Sequence, residues 1–248
     1  MSAGGQDWGQ VAGRVAAVRA RIAAAAGRAG RDPAEVTLIA VAKLQPVAAI
    51  RAALAAGVAD IGENYAQELA AKAAEVGGVR WHFVGRLQRN KAQAVVQAGA
   101  LVHSLGSLAT ARALARRAVQ AGTVARALVQ VEVDDRPAAH AVAPAGLPAF
   151  LAACSELDGL RVVGLMVMPA PRPDPEAARP VFRQVAGLAG NLGPGMRDLS
   201  MGMSADLEVA VEEGATMVRV GTAIFGQRPR DQTPTREEAR VRQGWNGG

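Results

Sequence analysis

The residue best placed to do chemistry is Lys43, the lone charge closing the apolar run Val36-Thr37-Leu38-Ile39-Ala40-Val41-Ala42, just ahead of Gln45-Pro46. An unbroken run of β-branched and aliphatic residues predicts a buried parallel strand feeding a helix. A lysine at the C-terminal end of such a strand projects into the mouth of whatever the strand builds. Partial desolvation there lowers an ammonium pKa and makes the amine a nucleophile for an aldehyde. The alternative is a strand-end lysine whose head group simply reaches solvent, the commoner fate of this side chain.

A second informative charge is Arg219, inside Met217-Val218-Arg219-Val220-Gly221. Strand alternation puts it on the face of Met217 and Gly221, where an inward arginine requires an acidic or ligand partner. The alternative is an outward arginine paired to a helix. Around it lie two segments of anion-binding character. Met201-Gly202-Met203-Ser204 ends in a serine able to cap the next helix, and Gly221-Thr222 opens a turn with little side chain over its N–H groups. Backbone N–H groups at such positions favour a phosphate; the plainer reading is an ordinary cap and an ordinary turn glycine.

The elements that must position these residues follow from periodicity. Val11, Val15, Val18 and Ile22 fall at helical spacing within 8–29, an amphipathic leading helix. After Asp32-Pro33 strand-like runs recur near 36–42, 58–62, 79–84, 100–104, 125–133, 161–168, 197–201 and 216–220. Helical segments fill the gaps near 46–56, 64–76, 88–98, 107–121, 145–156, 176–191 and 204–213. Eight strands alternating with helices over about 200 residues predict a single (β/α)8 TIM barrel rather than an open doubly wound sheet. Pro171, Pro173 and Pro175 mark a rigid loop after the sixth strand. Residues 1–7 and 229–248 are expected to be disordered termini flanking a barrel over 8–228.

A barrel acts at the C-terminal ends of its strands, with phosphate held after strands seven and eight. Those ends read Lys43, Glu63-Asn64-Tyr65, Gly85-Arg86, His103-Ser104, Met168-Pro169, Gly202-Met203-Ser204 and Gly221-Thr222. His82, inside its strand, reads as a hydrogen-bonded core residue. Gln88, Asn90 and Lys91 either serve a ligand or begin a helix. His103 and His140 have no carboxylate or cysteine at metal-ligand spacing, and no Gly-rich phosphate loop or nucleophile elbow is present.

Composition excludes several classes. The single cysteine, Cys154, forms no internal disulfide, which fits a reducing compartment; with no secretory leader and no membrane-length apolar segment, the chain is expected to be cytoplasmic. The charge of +6 comes from scattered arginines, among them 14, 19, 21, 28 and 31, and only 3% of residues are aromatic. With no dense basic block and few rings for base stacking, nucleic acid is not an expected partner.

At these residues the chain resembles a known family. Leu38-Ile39-Ala40-Val41-Ala42-Lys43, Ile61-Gly62-Glu63-Asn64-Tyr65, Trp81-His82-Phe83-Val84-Gly85-Arg86-Leu87-Gln88-Arg89-Asn90-Lys91 and Gly164-Leu165-Met166 are similar to the pyridoxal-phosphate homeostasis proteins. So are Leu199-Ser200-Met201-Gly202-Met203-Ser204-Ala205-Asp206 and Met217-Val218-Arg219-Val220-Gly221-Thr222-Ala223-Ile224-Phe225-Gly226, in order over about 8–228. The resemblance implies the fold of the N-terminal barrel of alanine racemase and pyridoxal 5′-phosphate as cofactor, joined to Lys43 as a Schiff base. It implies Ser204, Gly221 and Thr222 on the phosphate, Arg219 facing the pyridine nitrogen, and Asn64 beside the ring. It also implies a carrier or buffer of the cofactor with no established turnover, with cofactor-dependent apo-enzymes as partners and a monomeric state. A racemase, needing a second base, and a lysine-dependent aldolase are the alternatives. Ala42 and Leu44 flank the lysine where serine and threonine are common, Gly106 replaces a frequent aspartate, and the 134–140 loop lacks the usual Lys-x-Gly.

Overall fold

The structure, a computed structural model, describes residues 8–133 and 140–226. The expectations for 1–7, 229–248 and most of the 134–140 loop therefore lie outside the described residues. Eight parallel strands close into a barrel in sequence order: β1 (Thr37–Val41), β2 (Asp60–Glu63), β3 (Arg80–Phe83), β4 (Leu101–Leu105), β5 (Ala125–Gln130), β6 (Leu160–Met166), β7 (Asp198–Ser200) and β8 (Met217–Val220). β1 pairs with β8 in register Ile39 to Arg219, which shuts the ring.

The helices are α1 (Val11–Arg28), α2 (Val47–Ala55), α3 (Ala66–Glu75), α4 (Ala92–Gln97), α5 (Leu108–Gln120), α6 (Leu147–Ser155), α7 (Arg179–Asn191), α8 (Leu207–Glu212) and α9 (Thr222–Phe225). Several begin later than periodicity suggests. A 3-10 turn at Arg89–Lys91 precedes α4, and another at Pro175–Ala178 precedes α7. The predicted strand over 125–133 stops at Gln130, and α9 forms where only a turn was expected.

Period-two alternation sorts the side chains. On β1, Leu38, Ala40 and Ala42 join the large cluster between barrel and helices, whereas Ile39 joins a small inner cluster with Leu101, Leu128, Met166 and Met217. A parallel barrel strand is therefore apolar on both faces, and only its inward set can reach the mouth. With few aromatics, alanine lets the helices lie close: Ala49, Ala53, Ala111, Ala118 and Ala210 are fully buried.

Helix α1 packs on α2, α8 and α9, burying Val11, Val15, Val18 and Ile22. Its arginines explain the basic composition. Arg19 donates to the carbonyls of Ala56 and Gly57 at the end of α2, and Arg31 to those of Val211 and Ala215 at the end of α8. Arg21 and Arg28 pair with Glu208 and Glu212. Cations at helix C-termini complement the exposed carbonyls and the dipole, so these charges work inside the fold. Among the described residues no helix is long and apolar enough to cross a membrane.

Candidate functional site

Lys43, Asn64, Ser204, Arg219, Gly221 and Thr222 line one cavity of about 470 Å³ at the C-terminal mouth of the barrel, with Arg86, Gln130, His140 and Met203 around it. Alternation brings them there. Lys43 continues the inward series Ile39 and Val41, Asn64 the series Asp60 and Gly62, and Gly221 the series Met217 and Arg219. Close backbone approaches hold the rim. A Cβ at Gly85 would stand 2.0 Å from the Asn64 carbonyl oxygen, so that residue must lack a side chain. Asn64 Oδ1 is buried without a hydrogen-bond partner among the described residues, an acceptor facing a site built for a ligand.

Ser204 is not the predicted helix cap. α8 starts at Leu207 with Asp206 at its N-cap, and Asp206 Oδ1 accepts the Met203 N–H at 2.6 Å. The serine hydroxyl thus lines the cavity, while its carbonyl accepts from Arg21 at 2.9 Å. Gly202, at φ 90°, is the left-handed residue that turns this loop. Gly221 is the N-cap of α9, and a side chain there would press on Val41 O at 3.3 Å. The two segments after β7 and β8 therefore meet at the cavity beside Thr222.

Arg219 points inward and is almost fully buried. It has no carboxylate in contact among the described residues. It donates to Ser200 Oγ and, at 2.9 Å, to Val167 O. Burial pulls its pKa down to about 10, with the Asp206 charge opposing, so it stays cationic at neutral pH.

Behind it runs a polar chain that sequence reasoning missed. Ser200 Oγ lies 2.8 Å from His103 Nδ1, His103 Nε2 lies 2.9 Å from His82 Nδ1, and His82 Nε2 lies 3.1 Å from Asp60 Oδ1. With both histidines neutral, one arrangement of protons satisfies every contact in a single direction. With Arg219 donating to Ser200, the serine proton goes to His103 Nδ1. His103 then donates from Nε2 to His82, and His82 donates from Nε2 to Asp60. Burial alone would raise the Asp60 carboxyl, but hydrogen bonds from His82 and Arg80 hold it down to about 2. His103 is fully buried and is held well below the usual histidine range, by burial first and also by the cationic Arg219. His82 is the hydrogen-bonded core residue expected. His103, read from its strand end as a mouth residue, lies mid-barrel on β4.

Glu63 also departs from expectation. As the residue alternating with Asn64 it faces α3, where its Oε1 accepts from Lys72 at 2.6 Å. Burial lifts its carboxyl to about 7 against the pull of Lys72, and its Oε2 has no partner among the described residues. Tyr65 lines a small adjoining cleft with Gln67 and Lys91, which shares Asn64 and Arg86 with the main cavity. Among the described residues no group of three His, Cys, Asp or Glu is placed to hold a metal.

The site thus defines a class: a parallel barrel with one amine, one buried guanidinium and the turns after β7 and β8 in a single mouth. The chain belongs to the family described as alanine racemase, N-terminal domain, whose model matches residues 14–229. A protein of Pseudomonas aeruginosa named pyridoxal phosphate homeostasis protein is 43% identical over 88% of this chain and 96% of its own. One of that name from Escherichia coli K12 is 39% identical over 88% of this chain and 97% of its own. Among solved structures, PipY of Synechococcus elongatus with PLP bound is 39% identical, with TM-score 0.76 over 88% of this chain and all of its own. The alanine racemase of Corynebacterium glutamicum, 18% identical at TM-score 0.64 over 86% of this chain and 61% of its own, shares the fold.

Proposed function

We propose that this chain binds pyridoxal 5′-phosphate at the Lys43 cavity and serves in homeostasis of that cofactor, as carrier or buffer. The observation that carries the reading is the convergence of six groups on one cavity of about 470 Å³. The groups fit the ligand chemically. Lys43 supplies an amine for an aldehyde, and Gly221, Thr222 and Ser204 supply N–H and hydroxyl donors for a phosphate. Arg219 supplies a donor for a ring nitrogen. The relatives named for pyridoxal phosphate homeostasis, and PipY with PLP bound, support the same assignment.

When bound, the cofactor supplies an aldehyde and an electron-withdrawing ring. The protein's part is positional. The cationic Arg219, which lines the cavity, would hold the ring nitrogen with an N–H donor and would oppose its protonation. The electron sink is blunted accordingly. Tyr65, the chain's one tyrosine, lines the adjoining cleft and is not among the residues lining the Lys43 cavity. These features favour carriage over racemisation.

The reading extends to cofactor-dependent apo-enzymes as exchange partners. It also extends to work as a cytoplasmic monomer, which a closed barrel without free strand edges suits. Borohydride reduction of the loaded protein followed by peptide mapping tests it. The adduct is expected on Lys43 and absent in Lys43→Ala; an adduct on Lys72 or Lys91 overturns the assignment.

A further inference from the structure

A buried ion cluster grips the backbone on both sides of Lys43. Lys72, on the inner face of α3, donates to Glu63 Oε1 at 2.6 Å, to Glu68 Oε2 at 3.0 Å and to the Ala42 carbonyl at 2.9 Å. Glu68 Oε2 in turn accepts the Leu44 N–H at 2.9 Å. The two peptide groups bonded this way belong to the residues immediately before and after Lys43. Leu44 has φ 61°, the single left-handed non-glycine among the described residues. A branched side chain does not hold that conformation unaided, and the Glu68 carboxylate is the group that fixes its N–H.

We propose that Glu63, Lys72 and Glu68 form a positioning clamp for the attachment lysine, setting the direction in which the Lys43 amine meets the aldehyde of the bound cofactor. The proposal rests on the cofactor reading above. None of the three residues touches the ligand cavity. Their effect passes through the Ala42 and Leu44 peptides, which makes them positioning residues. A lone ion pair under a helix would need only one carboxylate and no bond to the strand. Here Lys72 is almost fully buried, and its third bond is to the β1 extension itself. The reaction it serves is a condensation: the Lys43 amine adds to the aldehyde carbon, the C–N double bond forms and one water leaves. Release consumes one water. Near-attack geometry governs both directions, so the clamp bears on how tightly the cofactor is kept.

Pyridoxine 5′-phosphate provides the discriminating probe, because its alcohol cannot condense with an amine while its ring and phosphate are retained. The variants are Glu68→Gln and Lys72→Met. Glu68 is partly exposed, so the first leaves the core undisturbed and keeps the test valid if the second fails to fold. Binding of both vitamers is measured by equilibrium titration, with the imine followed by absorbance. Pyridoxal 5′-phosphate affinity is expected to fall about tenfold in Glu68→Gln, the effect of losing one charge-assisted bond, while pyridoxine 5′-phosphate affinity stays within about twofold. Equal losses for the two ligands mean general damage to the site and overturn the clamp, as does no loss for either. A wild-type protein that binds neither ligand refutes the cofactor reading itself, and the clamp falls with it.

Discussion

Replacing His103 with leucine cuts the polar chain at its centre. The His103 ring joins Ser200 Oγ at 2.8 Å to His82 Nδ1 at 2.9 Å, and both neighbours are buried. Two orphaned buried groups at roughly 1–3 kcal/mol each give an expected destabilisation of about 2–6 kcal/mol near neutral pH. The pH dependence is the sharper test. His103 in the folded state titrates well below its ordinary 6.5, so between those values the unfolded chain binds a proton that the native protein refuses. Wild-type stability therefore falls as pH drops below about 6.5, and His103→Leu lacks that loss. For one histidine the gap between wild type and variant narrows steadily as pH falls from about 7.5 to about 5. Urea unfolding of both apo-proteins across that range measures it. A gap that stays constant, or widens in acid, means that His103 is protonated in the fold, and the chain's assigned direction is wrong.

The phosphate turns predict a vitamer preference: at roughly 1.5–3 kcal/mol per charge-assisted bond, pyridoxal should bind at least tenfold more weakly than its phosphate. Equal affinities by titration would rule the site out. Gly85→Ala forces a methyl against the Asn64 carbonyl, with an expected stability loss of about 1–3 kcal/mol and weaker cofactor binding. An unchanged melting temperature and affinity would show that the rim yields freely. Exchange of amino-acid α-protons in D₂O is expected to stay at the level of free cofactor, since a positioned base alone contributes about 10²–10⁴-fold. Turnover on the order of 1 s⁻¹ would instead promote the racemase alternative. Arg219→Glu should favour ring protonation and raise whatever side activity exists.

The barrel was legible because it rests on local periodicity, and so was the inward phase of several strand-end residues. Alternation along one strand suffices to carry Ile39 and Val41 into Lys43, or Met217 and Arg219 into Gly221. Contacts made by ring closure were not legible. His103 meets Ser200 across 97 residues of sequence, and no spacing in the chain announces that pair. Glu63 shows the limit of reading strand ends without their phase. It ends β2 as Lys43 follows β1, yet it sits one residue out of step with Asn64 and turns under α3. Ser204 shows a second limit: any serine before a helix looks like a cap, but Asp206, nearer the helix, takes that place. The change at Gly106 has a physical counterpart. A Cβ there would stand 1.8 Å from the His140 carbonyl oxygen, so any side chain at 106 requires the backbone at His140 to move.

The polar chain also accounts for a charge that seemed unsupported. An inward arginine called for an acid, and none touches Arg219. The Asp206 charge supports it without touching it, and at the far end of the relay Asp60, anchored by Arg80 at the start of β3, holds its carboxyl pKa down to about 2. Each member donates toward that carboxylate, so the dipoles of Ser200, His103 and His82 all turn their negative ends to the guanidinium. Arg219 keeps its proton without a neighbouring carboxylate that could also pass a proton to a ring nitrogen. An acid beside the ring deepens the electron sink that carbanion chemistry draws on, whereas an arginine partner leaves it shallower. A carrier is better served by displacement of the acid to the other end of the barrel, because a cofactor held electronically quiet is returned unchanged.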